Sequence, residues 1–171
     1  MGSYYTFTNE EKRLISNWIG KKPTDDSLWY YIFYKASGVI AKDFHSKCDK
    51  QNDTLTLIET QDGKKFGGYI STAWTDLNEG RKDPKAFLFN LKKKVKYPIK
   101  KDKIAISCNN DKGPDFIDLS ICNNCFKEKF SYYKFDENSN YEIPAQDYAS
   151  GNQFFLVKCI YVFKLRFENE W

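Results

Sequence analysis

Cys122 and Cys125 form a C-x-x-C pair, and His45 with Cys48 supplies two more side chains of the types that bind zinc or carry thiol chemistry. The pattern stops there. No second cysteine pair stands at finger-like spacing, and Cys122 does not open a helix in a strand-helix-strand unit, as disulfide exchange would want. The residues therefore predict no bound metal, with the cysteines acting as small buried hydrophobes. His45 is the only histidine, and no G-x-S-x-G stretch accompanies it, so a nucleophile-base pair does not assemble. Phosphate-cradling and dinucleotide glycine fingerprints are absent, and no cofactor is expected. The acidic pairs Glu10 with Glu11 and Asp25 with Asp26 read as solvated surface charge.

One charge anomaly remains. Lys92 to Lys103 holds seven lysines, among them Lys92, Lys93, Lys94, Lys96, Lys100 and Lys101, against the single acid Asp102. Such a run can contact an anion or an acidic partner electrostatically, but it has no arginine for bidentate readout and only Tyr97 for stacking. A solvated connection between strands is the expected role, and no specific nucleic-acid binding is expected.

The elements that must position these residues are mostly strands. Thr8 and Glu11 form a capping box ahead of Leu14, Ile15, Trp18 and Ile19, and Gly20 ends the helix. The aromatic run Ser27 to Ala36 predicts a buried strand. Val39, Phe44 and Cys48 predict one face of a short helix. Thr54 to Thr60 and Lys65 to Ala73 read as hairpin arms joined through Asp62-Gly63. Gly67 and Gly68 sit inside the second arm, where glycine marks a bend or a close approach. Further strands are expected at Asp83 to Leu91, with Phe87 and Phe89 on one face and Ala86, Leu88 and Asn90 on the other, and at Lys103 to Cys108, Asp118 to Ile121, Lys129 to Phe135 and Phe154 to Phe167. Asn109 to Pro114 and Glu137 to Gly151 read as loops.

Composition agrees with a folded domain. The chain has 171 residues, 18% aromatic and 29% charged, and a net charge of +4 from 27 basic and 23 acidic residues. That balance does not argue for nucleic acid or membrane as the main partner. No apolar run approaches the ~20 residues of a bilayer span, and the five cysteines are odd in number, so a cytoplasmic, reduced, monomeric protein is expected. The start Met1-Gly2-Ser3 also suits a domain taken from a longer chain.

Taken together, FYKASGVIAKDFHSKCD, TLTLIETQDGKKFGGYISTAW, DPKAFLFNL and FLVKCIYVFKL, in that order, resemble the TLDc domain family, which includes eukaryotic oxidation-resistance proteins and many protist proteins. KGPDFIDLSICNNC, with Gly113 and Pro114, looks like a shortened form of the family's Gly-Pro segment. The resemblance implies a mainly β fold with flanking helices, a two-sheet antiparallel β-sandwich spanning residues 28–171, with residues 1–27 as a helical segment packed on it. It implies structural roles for Gly67, Gly68, Trp74, Phe87, Phe89, Gly113 and Pro114. For function it implies a non-catalytic interaction domain linked to oxidative-stress resistance and, for several members, to binding and regulating the vacuolar proton ATPase. A thiol-dependent protective enzyme using Cys122, Cys125 or Cys48, and an anion or nucleic-acid module using the lysine run, are the competing readings.

Overall fold

The computed structural model describes residues 7–21 and 30–166. Its elements, in chain order, are α1 (Asn9–Ile19), β1 (Tyr30–Lys35), α2 (Ala41–Cys48), β2 (Thr54–Thr60), β3 (Lys65–Ile70), β4 (Glu79–Lys82), β5 (Phe87–Asn90), β6 (Val95–Pro98), β7 (Ile104–Cys108), β8 (Leu119–Ser120), β9 (Ser131–Tyr133), β10 (Gln153–Phe155) and β11 (Val157–Lys164). A six-stranded antiparallel sheet, ordered β1-β11-β2-β3-β5-β6, is the centre of the molecule. A three-stranded sheet β10-β9-β8 and a two-stranded sheet β4-β7 accompany it. The fold is thus mainly β and sandwich-like, with the layer facing the large sheet divided between two small sheets and α2.

Both faces of the inner strands β11, β2, β3 and β5 are largely buried, which is why these strands read as apolar runs. Leu55, Leu57, Tyr69, Phe87, Phe89, Tyr161 and Phe163 point to one side, where Phe7 and Ile15 complete a core cluster under α1. Trp18 of α1 lies edge-on to Phe87, with ring centroids 5.9 Å apart. Ile58, Phe66, Ile70, Leu88, Ile160 and Val162 point to the other side, against Phe44, Trp74, Ile106, Phe116 and Leu119. This strict alternation follows from the two-residue period of a strand. Helix α1 closes as its sequence demands: Glu11 N–H donates to Thr8 Oγ1 at 3.0 Å, Thr8 N–H donates to Glu11 Oε1 at 2.9 Å, and Gly20 takes the left-handed conformation at φ +80°.

The paired glycines of β3 have ordinary strand backbone and are required by space. A Cβ on Gly67 would lie 2.8 Å from the carbonyl carbon of Thr56 in β2, with that carbonyl's oxygen nearer still. A Cβ on Gly68 would lie 2.8 Å from Cδ1 and Cζ of Phe116, whose ring lies over the strand. Phe116 is itself packed edge-on to Trp74 at 5.4 Å, and Trp74 Nε1–H donates to Thr54 Oγ1 at 3.2 Å. Gly113 is hemmed in the same way by the Ile40 side chain.

Three expectations from the sequence are corrected, and one strand is added. Val39 precedes α2 and is 54% exposed, since the buried face of that helix is formed by Ala41, Phe44 and Cys48. The lysine run is not one connection: it holds β6, an outer strand whose Lys96 and Pro98 suit an edge. The run from Phe154 breaks at Leu156, so that β10 and β11 join different sheets. Strand β4, polar throughout, carries no hydrophobic signal and was not anticipated. Ser27, Leu28, Trp29, Asp25, Asp26 and Phe167 lie outside the described residues.

Candidate functional site

The cysteines are built into the fold. All five are free, and Cys48, Cys108 and Cys125 are fully buried. Burial pushes the thiols of Cys48 and Cys108 up, and that of Cys125 up to about 12. Cys159 is also pushed up to about 12, first by burial and then by the Glu59 carboxylate it faces at 3.4 Å. Raised thiols are poor nucleophiles and poor metal ligands. Cys122 is half-buried, accepting from Ser131 Oγ at 3.5 Å.

The residues between Cys122 and Cys125 have a structural task. Asn123 Oδ1 accepts from the backbone N–H groups of Ile40 at 3.1 Å and Ala41 at 2.8 Å, capping α2 from 82 residues away. Helix α2 has no side-chain cap of its own. His45 is equally occupied: Nδ1 faces Asp49 Oδ1 at 2.8 Å, and Nε2 faces the carbonyls of Asn109 at 2.8 Å and Lys112 at 3.2 Å. It thereby ties α2 to the Asn109 to Pro114 loop. Among the described residues, no three His, Cys, Asp or Glu side chains are grouped to hold a metal ion.

The buried acids likewise serve the backbone. Asp83 accepts from Ser71 N–H at 2.6 Å, Ser71 Oγ at 2.7 Å and Thr72 N–H at 3.0 Å, which fixes the exit of β3. Asp118 accepts from Tyr141 N–H at 2.9 Å, and burial pushes its carboxyl up to about 6.

The lysines divide by position. Lys94 pairs with Glu10 at 2.6 Å, and Lys96 donates to Trp18 O at 3.3 Å while lying 5.6 Å from the Phe87 ring centre, so these two brace α1. Lys100 donates to Glu137 O at 3.1 Å and, with Lys101, borders a shallow cleft shared with Lys82, Asp83 and Glu142. Lys92 and Lys93 instead stand on the rim of a cavity of about 360 Å³.

That cavity is the best-formed concave site among the described residues. Three segments wall it: the β2–β3 turn with Lys64 and Lys65, the β5–β6 turn with Lys92 and Lys93, and the segment Gln146 to Ala149. Its floor is Phe66, Tyr97, Leu119, Tyr133 and Phe135. The first turn is shaped by Gly63 at φ +91° and by Lys64 N–H donating to Thr60 Oγ1 at 2.8 Å. In the second, Lys93 N–H donates to Asn90 Oδ1 at 2.9 Å. Asp147 holds the third wall in place: Oδ2 accepts from Tyr97 OH at 2.9 Å and Oδ1 from Lys93 Nζ at 3.0 Å. Burial, and then the hydrogen bond to Asp147, push the Tyr97 phenol up. Lys92 and Lys93 are legible in the sequence as contact residues, but this partnership is not, because Asp147 lies 50 residues from Tyr97 in a stretch with only loop signals.

A family model described as TLDc domain matches residues 3–165, nearly the whole chain. The chain belongs to the TLDc domain family, a family generally linked to oxidative-stress resistance. No curated protein matches it closely enough to count as a relative. The matched span begins ahead of α1, so the helix that covers the large sheet falls inside the family's own unit. Among the described residues, no helix is long and apolar enough to cross a membrane.

Proposed function

We propose that this chain is a non-catalytic protein-interaction domain that acts in the cytoplasm, contributes to oxidative-stress resistance through a partner, and has the vacuolar proton ATPase as that partner. Family membership supports the stress link, and the family resemblance supplies the ATPase. The observation that carries the binding reading is the fate of the residues suited to chemistry. Four of the five thiols are pushed up by burial, and both nitrogens of the only histidine are engaged within the fold. A nucleophile needs the opposite environment, exposed and electropositive.

Co-sedimentation of the purified domain with purified vacuolar proton ATPase tests the partner. Saturable binding supports the proposal, and binding no greater than that of an unrelated β-sandwich of equal charge refutes the ATPase assignment.

A further inference from the structure

We propose that the cavity between the β2–β3 turn, the β5–β6 turn and the Gln146 to Ala149 wall binds a small aromatic molecule carrying a single negative charge. Size, lining and charge each narrow the ligand class.

The volume of about 360 Å³ lies at the lower end of the range of roughly 300–1,000 Å³ typical of small-molecule sites. It is walled on three sides, which suits a compact ring system better than an extended chain crossing the surface. The floor offers aromatic surface: Tyr133 packs on Phe66 at 5.9 Å and on Phe135 at 5.0 Å, and Tyr97 packs edge-on to Phe135 at 5.6 Å. Such rings accept another ring in offset or edge-to-face contact. Tyr133 and Phe135 are only half-buried, so part of this aromatic surface meets solvent.

The rim selects the charge. Three of its four lysines face carboxylates of the chain: Lys64 with Asp62 at 3.0 Å, Lys65 with Glu59 at 3.8 Å and Lys93 with Asp147 at 3.0 Å. Lys92 is exposed and has neither a side-chain hydrogen bond nor an ion pair among the described residues. Among the described residues Lys92 is therefore the one rim lysine with no carboxylate of the chain facing it, and it stands above an apolar floor. A ring bearing one carboxylate or sulfonate satisfies both, whereas a neutral ring leaves Lys92 uncompensated and a polyanion meets Asp147. This site is independent of the partner reading, and failure to bind the ATPase leaves it untouched.

Anilinonaphthalene sulfonate is the probe, titrated into the full chain with fluorescence and two-dimensional NMR as readouts. The expected result is saturable one-to-one binding with shifts at Tyr97, Tyr133 and Phe135. The uncharged analogue N-phenylnaphthylamine should bind at least fivefold more weakly. Ala149→Trp, which fills the cavity from its wall, should weaken binding more than tenfold, and Gln146→Trp serves the same purpose should the first variant fail to fold. Lys92→Glu should weaken binding roughly tenfold, since reversal both removes an attraction and adds a repulsion, while Lys101→Glu, outside the cavity, should change it less than twofold. The proposal is overturned by non-saturable binding, by a wall-filled variant that folds and binds like the native chain, or by equal effects of Lys92→Glu and Lys101→Glu.

Discussion

Replacing Gly67 by alanine adds one methyl group to the centre of the large sheet, and the surroundings fix its cost. The new Cβ would sit 2.8 Å from the Thr56 carbonyl carbon and 3.1 Å from Phe89 Cζ. Real Cβ contacts at the first of these distances are essentially absent, so β2 and β3 must move apart or slide. Thr56 belongs to the interior strand β2, held on both sides by β3 and β11, so its backbone has little freedom to give way. Overpacking of this kind costs about 3 kcal/mol or more, well above the gain of up to about 1 kcal/mol that alanine otherwise brings to a strand. For a chain of this length each kcal/mol lowers the melting temperature by roughly 2–4 °C, which predicts a loss of about 6–12 °C or no folding at all. Gly68→Ala meets a side chain instead, the Phe116 ring with Cε1 at 2.5 Å, and a ring can tilt where a carbonyl cannot. Its cost should be the smaller of the two. Differential scanning calorimetry of both variants is the assay. A Gly67→Ala melt within 1 °C of the native chain, or a larger loss for Gly68→Ala, would refute the steric argument.

Three further outcomes follow from single contacts. Thr54→Val and Thr56→Val should act in opposite senses: the first deprives the buried Trp74 Nε1–H of its acceptor and costs about 1–3 kcal/mol, while the second removes a buried hydroxyl that has no partner among the described residues and is neutral or stabilising by up to about 1 kcal/mol, as urea unfolding will read. Asn123→Ala removes the remote cap of α2 and should cost about 1 kcal/mol by the same measurement, with no change in urea dependence. Asp118, with its carboxyl pushed up to about 6, holds a proton in the folded chain that the unfolded chain releases near pH 4. Its contribution to stability is therefore complete below about pH 4 and is lost as pH rises to about 6. Asp118→Asn should gain stability relative to the native chain across that window, and a constant difference would count against the assignment.

The legible parts of this fold are those whose signals are local. The Thr8 and Glu11 capping box, the Asp62-Gly63 turn and the alternation of Phe87, Leu88 and Phe89 each act within a few residues, and the structure has each of them. Strand β6 was hidden because an edge strand carries lysine and proline, which also mark loops. Strand β4 was hidden because Glu79, Gly80, Arg81 and Lys82 bury almost nothing. The paired glycines pointed to a close approach, but whether to backbone or ring depended on Thr56 and Phe116, the latter almost 50 residues away along the chain. The candidate cavity lies further still from local signals. Its lysine rim was visible as a charge run, yet its aromatic floor and the Asp147 anchor come from segments that only the tertiary fold assembles.

The central claim is that the domain acts by binding and not by thiol chemistry, and survival under hydrogen peroxide tests it most directly. Cells that lack the chain are supplied with either the native form or Cys122→Ser combined with Cys125→Ala, at matched expression and after confirming that the variant melts cooperatively. These two positions are the only C-x-x-C pair in the sequence. The account predicts equal protection by both forms. Protection lost in a variant that remains folded would contradict it, and would give Cys122 or Cys125 a chemical role, against the burial of Cys125.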